Sequence, residues 1–479
     1  MLDQSFSTNN FEIIYGLENR KGNININEMP QEFRSKIDEI KFVKNEIREL
    51  RRKKKSILEQ EQRERLDWLE YYLQDLKQSK EEILTDYLSS IADRVNNKSF
   101  QFLMRKFSMK KEDKEMEVFS INTDNHTALF TMKQLQYNIH KTFKVKQENR
   151  HSILSNIKTL LNSRVPVYVI RTDISSFYES IIQEKLFERI NNNTLLNYKS
   201  RSFINTIIKL YEDKKDQKII PKGLGIPRGV GISAYLSELY LQNIDLKIRN
   251  KREVMFYARY VDDIFIILST IPKPFKSLSK YYQELCNLFG ESGLHLKKPN
   301  DGSNKCFLLD FSEINTDLIN MDYLGYKLTM KRTNKELKTT FSLSTHKLDR
   351  FKEKINRSYA HFEYVSAVNI KKATKDLIDS INYITGNIRL NNSKSKVKVG
   401  LFYTNDLLDN FTELDELTSY LHNMQIKPYG KLFLNDELKN RYIQYLKNKI
   451  SKIDFKDRWD KPHIYKFPIY RLKEMEEWL

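Results

Sequence analysis

Three textures of hydrophobic and polar positions follow one another along the chain. From residue 31 to 95 leucine and isoleucine recur at three- and four-residue steps among glutamate, lysine and arginine. Proline and glycine are missing after Pro30, and the spacing predicts long helix. The heptads are too irregular for a coiled coil. From about 100 to 330 short β-rich runs ("VPVYVIRTDI", "VMFYARY", "IFIIL", "DYLGYKL") alternate with helical patterns. That mixture predicts an α+β fold on an antiparallel sheet. Beyond about 335 the pattern is again helical, interrupted by the polar stretch "LNNSKSK" at 390–396. The final stretch "DRWDKPHIYKFPIYRLKEMEEWL" is too aromatic for a disordered tether and is predicted to pack. The expected organisation is an N-terminal helical region (1–99), a mixed domain (100–334) and a helical C-terminal domain (335–479), with no internal repeat of fixed period.

Two adjacent carboxylates, Asp262 and Asp263, interrupt the apolar run "YARYVDDIFIIL" (257–268). The flanks read as two strands of a tight hairpin with both aspartates at its tip. Two carboxylates so close repel unless a cation compensates them, and hard divalent ions prefer carboxylate oxygens. By itself the pair reads equally well as a polar turn. A third carboxylate changes that balance. "VPVYVIRTDISSFYESI" (165–181) runs along an apolar strand to Asp173 and then turns helical. If the two strands are neighbours, Asp173 and Asp262 can share two metal ions about 3.5–4 Å apart, the arrangement for in-line displacement at phosphorus. Between them, "PKGLGIPRGVGISAYLSELYLQNIDLKIR" (221–249) is a glycine-rich loop leading into a helix that Ser233 can cap. It is neither a Walker A loop nor a dinucleotide fingerprint.

Charge points the same way. The 82 basic against 63 acidic residues leave a net +19, which suits a polyanionic partner. The run Arg51–Lys55 reads either as a grip on a phosphate backbone or as a solvated helix face. Two cysteines without metal-ligand spacing, no apolar stretch of spanning length and no signal-peptide pattern in "MLDQSFSTNN" predict a reducing cytoplasm and no membrane.

Taken in order, "RTDISSFY", "GIPRGVGISAYLSELYL" and "YVDD" resemble the reverse transcriptases, as do "GLHLKKPNDGSNK" (293–305) and "MDYLGYKL" (321–328) downstream. The resemblance covers roughly 100–330. It implies a right-hand polymerase with fingers and an antiparallel palm sheet, and a helical C-terminal domain replacing the thumb. It implies Asp173, Asp262 and Asp263 as the carboxylate triad, with the Ile174 backbone beside them, holding two Mg2+ ions that Mn2+ can replace. Tyr178 falls where an aromatic ring excludes a ribose 2′-hydroxyl, or is simply a core tyrosine. Arg228 and Gly229 fall at the nucleotide or template, although many relatives have glutamine where Arg228 stands. Lys305 assists pyrophosphate departure or is a surface lysine. Tyr323, Leu324 and Gly325 form the hairpin that grips the primer end. In "FLMRKFSMKKEDKEMEVFSI" the lysine of the family's pattern is met by Lys110 and Lys111, but its arginine position reads about Met116. Lys110, Lys111, Lys141 and Arg150 are therefore the candidates for holding the triphosphate.

Within the family the likeness is to the bacterial abortive-infection and defence-associated enzymes, on "DISSFYESI", "PRGVGISAYLSELYL", "YITGNIRL" and "VGLFYTNDLL". The cysteines are too few for the group II intron type, and neither RNase H carboxylates nor a Val-Thr-Gly thumb signature is found. This implies antiphage defence in a bacterial cytoplasm, by a homo-oligomer or with a partner defence protein. The implied substrates are deoxynucleoside triphosphates, with RNA or single-stranded DNA as partner. The enzyme would copy a dedicated noncoding RNA or polymerise without a template, with a tyrosine as primer. Two competing readings stand beside this one: a catalytically idle nucleic-acid-binding scaffold, and an RNA-synthesising transferase, against which Tyr178 argues.

Overall fold

The computed structural model describes residues 3–52, 60–111, 114–122, 126–162, 167–192, 194–273, 275, 277–299, 305–310, 318–333, 336–390, 397–428 and 436–479. These form two compact units, each made of discontinuous segments. One comprises Met1–Gln147, Ser175–Asp245 and Phe289–His295, and the other Glu148–Ile174, Leu246–Leu288 and Leu296–Leu479.

The first unit opens with α1 (Thr8–Lys21), α2 (Gln31–Arg52) and α3 (Gln60–Asn96). Where the spacing predicts one long helix, α2 and α3 pack on each other around Ile40, Val43, Ile47, Leu66, Leu69 and Leu76. An isolated helix with that apolar stripe would leave it in water, and the second helix covers it. Arg51 and Arg52 end α2, and Arg51 pairs with Glu70 at 2.7 Å. Lys53, Lys54 and Lys55 lie outside the described residues.

Next come β1 (Met104–Lys111) and β2 (Lys114–Ile121), an antiparallel pair, and then α4 (His126–Phe143). Helix α4 is buried along most of its length. Its interior amides are linked: Gln134 donates to Asn138 at 2.8 Å and Asn138 to Ser200 at 3.0 Å, while the Gln134 amide oxygen has no partner among the described residues. The second unit begins with α5 (Arg150–Leu161) and β3 (Tyr168–Asp173). The chain then returns to the first unit for α6 (Phe177–Ser180), α7 (Gln183–Asn191), α8 (Tyr198–Lys214) and most of α9 (Ser233–Arg249).

The remaining elements build the second unit. They are β4 (Val254–Tyr260), β5 (Asp263–Leu268), α10 (Leu278–Gly290) and β6 (Phe307–Asp310), then β7 (Ile319–Tyr323), β8 (Tyr326–Thr333) and β9 (Glu336–Leu343). Strands β3 to β6 form one antiparallel sheet in the order β4-β5-β3-β6, and β7-β8-β9 form a second. The β-branched and aromatic runs seen in the sequence are these strands. Because β3 and β5 are central, they read as nearly continuous apolar stretches rather than alternating ones.

Helices α11 (Thr345–Ser366) and α12 (Ile370–Thr385) follow, capped by Ser344 and Asn369 side chains that accept from Lys347 and Lys372 amides. Short strands β10 (Asn387–Arg389) and β11 (Lys398–Gly400) come next. The chain ends with α13 (Thr412–Asn423), α14 (Asp436–Ile450), α15 (Phe455–Asp460), β12 (Ile464–Tyr465) and α16 (Ile469–Glu476). The tail packs as its aromatic content predicts. Arg471 donates to Asp376 at 2.7 Å and Asp379 at 2.9 Å, and Trp478 stacks on His361 with centroids 4.0 Å apart. One apolar core joins Val169, Phe265 and Ile267 of the first sheet to Leu328, Phe341, Leu348, Leu377 and Leu414. No described helix is long and apolar enough to cross a membrane.

Candidate active site

The β3 and β5 register sets the site. Asp173, the last residue of β3, lies directly opposite Asp263, the first of β5, and Asp263 in turn faces Tyr260 at the end of β4. Only Val261 and Asp262 remain to connect β4 to β5. Asp262 is thus at the turn and Asp263 already in the ladder, one step from the tip where both were predicted. Val261 has φ 61°, a left-handed conformation that a β-branched residue adopts only when its surroundings hold it there. They do: buried Arg259 donates to the Val261 carbonyl at 2.8 Å, and the Ile174 amide donates to the Asp262 carbonyl at 3.1 Å. On the far side of β3, the Lys297 amide donates to the Asp173 carbonyl at 2.9 Å.

The three carboxylates converge so that one oxygen from each lies within 4.8 Å of the others. Two cations of the same unit face them. Lys305 donates to Asp173 at 2.9 Å, and Arg171 donates to Asp263 at 3.2 Å. Burial pushes the Asp263 carboxyl up to about 6. Asp262 and Asp173 add to that rise, and Arg171 and Lys305 oppose it. Burial draws the Lys305 ammonium down, but the hydrogen bond and charge of Asp173 outweigh it, so its pKa is raised. An all-oxygen set of clustered carboxylates, one resisting ionisation for want of positive charge, fits a hard divalent cation.

The second unit also holds the predicted primer-gripping residues. Strands β7 and β8 are joined by Leu324 and Gly325, both with positive φ (44° and 76°), a tight hairpin turn. The Tyr323 ring is buried 4.9 Å from Phe265, and its hydroxyl has no hydrogen-bond partner among the described residues. Arg150, a triphosphate candidate from the sequence, caps this turn. Its guanidinium donates twice to the Leu324 carbonyl, at 2.6 and 2.8 Å, and lies 5.2 Å from the Tyr326 ring centroid.

In the first unit, Arg228 makes a bidentate pair with Glu179, both contacts 3.0 Å, and its guanidinium lies 5.0 Å from the Tyr178 ring centroid. Gly229 has φ 92°, and a Cβ there would sit 2.6 Å from the Phe119 carbonyl oxygen. Strand β2 runs against this loop, with the Phe119 amide donating to the Arg228 carbonyl at 2.7 Å. Lys141 is exposed on α4, its ammonium 5.5 Å from the Tyr137 ring centroid. Lys110 and Lys111 lie on β1, and their side chains fall outside the described residues.

Arg171 escaped sequence reasoning, although its signal is there. It stands two residues before Asp173, so strand periodicity puts both on one face, diagonal to Asp263 across the ladder. Glu179 had no comparable signal, because its role depends on a partner 49 residues away.

Residues 109–328, which contain all three aspartates, match the family described as "Reverse transcriptase (RNA-dependent DNA polymerase)". Among solved structures, similarity is found to apo telomerase from Candida Tropicalis truncated from its C-terminal domain, with 15% identity and TM-score 0.35. That match covers 49% of this chain and 54% of the other. Apo telomerase from the same organism gives 14% identity and TM-score 0.38, over 79% and 61%. Telomerase from Candida albicans in complex with a fragment of telomeric RNA gives 9% and 0.34, over 76% and 68%. The chain thus spans about half the length of the first of these. No curated protein matches. Residues 109–328 thus match a reverse transcriptase domain, somewhat less than half of the chain.

Proposed function

We propose that the chain is a Mg2+-dependent DNA polymerase that adds deoxynucleotides in bacterial antiphage defence. It copies a dedicated noncoding RNA or extends without a nucleic-acid template, primed by a protein side chain. One observation carries the reading: Asp173, Asp262 and Asp263 converge within the segment that matches the reverse transcriptases.

A divalent cation held by these carboxylates would neutralise charge at phosphorus and acidify the attacking hydroxyl. The primer hydroxyl loses its proton to solvent as its oxygen bonds to the α-phosphorus, the bond from that phosphorus to the oxygen bridging to the β-phosphate breaks, and pyrophosphate leaves with that electron pair. Asp173, Asp262 and Asp263 would hold the cations, with the Ile174 carbonyl as a further ligand. Lys305, an ammonium kept charged by Asp173, balances the departing pyrophosphate. Tyr178, stiffened by Arg228 over its ring, excludes the ribose 2′-hydroxyl. Gly229 lets the template or nucleotide approach its backbone, and Lys110 and Lys111 neutralise the triphosphate. Tyr323, Leu324 and Gly325 seat the primer end, with Arg150 fixing their turn. The net charge of +19 supplies sequence-independent attraction to the strand.

The Lys305–Asp173 and Arg171–Asp263 pairs favour a second reading, a scaffold that binds nucleic acid and balances its own aspartates without metal. Deoxynucleotide incorporation by the purified full-length chain separates the two. The polymerase incorporates only with a divalent cation, and the scaffold incorporates nothing with any cation, primer or template.

A further inference from the structure

A cavity of about 270 Å3 lies in the second unit, lined by α11, the end of α12, β10, β11 and residues 401–405. Its lining shares no residue with the aspartate cluster. Lys347, Arg350 and Lys354 enter it from α11 at the i, i+3 and i+7 positions, one helix face. Arg150 comes in from α5 beside Lys347: both lie over the Tyr326 ring, 5.2 and 4.9 Å from its centroid. Among the described residues none of these four cations is in an ion pair. Asp406, which acts on Lys347 at longer range, is paired with His151 at 2.9 Å. Like charges gathered without an ion-paired carboxylate repel, and that adds to burial: burial first, then Arg150 and Arg350, lower the Lys347 ammonium to about 7, against the opposing charge of Asp406. Burial also lowers the Lys354 ammonium, with Arg350 adding to it. A bound anion offsets both.

The other walls are mostly apolar and aromatic, with Thr404 and Asn405 the polar members. Phe351, Tyr383, Ile384 and Leu401 are among them, and the Lys354 ammonium lies 5.4 Å from the Tyr383 ring centroid. A cavity just below the range for drug-sized ligands, about 300–1,000 Å3, has room for one ring system and its phosphate and none for a duplex. We propose that this cavity is a second nucleotide site. It takes the phosphomonoester of one nucleotide unit on Lys347, Arg350 and Lys354, with the base against Phe351 and Tyr383. The cations and aromatic walls call for a phosphate joined to a flat ring. The choice of a nucleotide among such molecules rests on the polymerase reading.

The test uses the purified full-length chain in EDTA and two probe pairs: dTMP against thymidine, and a 3′-blocked thymidine tetranucleotide with a 5′-phosphate against its 5′-hydroxyl form. At least one phosphorylated probe is expected to bind about tenfold more tightly than its unphosphorylated partner, as charge-assisted contacts imply. A preference seen for dTMP alone identifies a free nucleotide as the ligand, and one seen for the tetranucleotide alone a strand end. Arg350 is exposed, so Arg350→Glu leaves the core intact, and it is expected to abolish the preference with an unchanged melting curve. Equal binding within both pairs, or a preference that survives Arg350→Glu, overturns the proposal. Loss of deoxynucleotide incorporation in wild type with this binding intact would count against the polymerase reading alone.

Discussion

Asp173 and Asp263 face each other across the β3–β5 ladder, and a carboxylate pair in that position is held only with compensating charge. Arg171 and Lys305 supply part of it. The remainder shows in Asp263, whose carboxyl is pushed up to about 6 by burial, with Asp262 and Asp173 adding to it.

A stability test follows from Asp263 in metal-free buffer. The folded chain keeps its proton to about 6, whereas the unfolded chain loses it near the ordinary value of 3.8. Between those values the native state binds more protons, so its stability falls as pH rises through the window and stays lower above it. Asp263→Asn has no such proton. Relative to that variant, wild type is expected to lose on the order of 1–2 kcal/mol between about pH 4 and pH 6.5 in EDTA, partial exposure trimming the full linkage. Parallel denaturant titrations measure it, and a constant difference would contradict the raised pKa.

Tyr323 offers a second handle. Its ring is buried against Phe265 while its hydroxyl finds no partner among the described residues. A buried hydroxyl left unsatisfied costs about 1–3 kcal/mol. Tyr323→Phe is therefore expected to leave stability unchanged or raise it by about 1 kcal/mol, read from the denaturation midpoint. A loss of stability would show that the hydroxyl is bonded.

At Gly229 both conformation and space forbid a side chain. Its φ is 92°, and a Cβ would meet the Phe119 carbonyl oxygen at 2.6 Å and a Val118 methyl at 2.8 Å. Gly229→Ala should cost about 2–3 kcal/mol and lower the melting temperature. An unchanged melting curve would mean that β2 does not lie against this loop.

Tyr178 is the residue on which sugar selection is proposed to rest. Tyr178→Ala should raise ribonucleotide incorporation relative to deoxynucleotide by about tenfold or more, the scale of losing one steric contact in a tight pocket. Single-nucleotide extension with each sugar measures the ratio, and a variant that still rejects ribonucleotides rules the role out.

The strands that build the site were legible because central strands leave long apolar runs, and Asp173 and the Asp-Asp pair interrupt two of them. Their register was not legible. Whether Asp262 or Asp263 faces Asp173 depends on a turn of two residues with Val261 in the left-handed region, which the sequence "YVDD" does not announce. Helical periodicity found the helical character of 31–95 but neither its division into α2 and α3 nor their pairing, because a helix pattern records an apolar face and not what covers it. The cavity beside α11 was out of reach for the same reason. Its walls come from residues 347–354, 383–388 and 399–405, and only folding brings them together.

The most direct test is deoxynucleotide incorporation by the purified full-length chain with and without Mg2+, alongside the Asp262→Asn, Asp263→Asn double variant. Wild type is expected to incorporate label only with the divalent cation. The variant should fall by about a thousandfold or more, the several kcal/mol that metal-held charge contributes at phosphorus. Incorporation by the double variant at the wild-type rate would contradict the assignment of these carboxylates to the reaction.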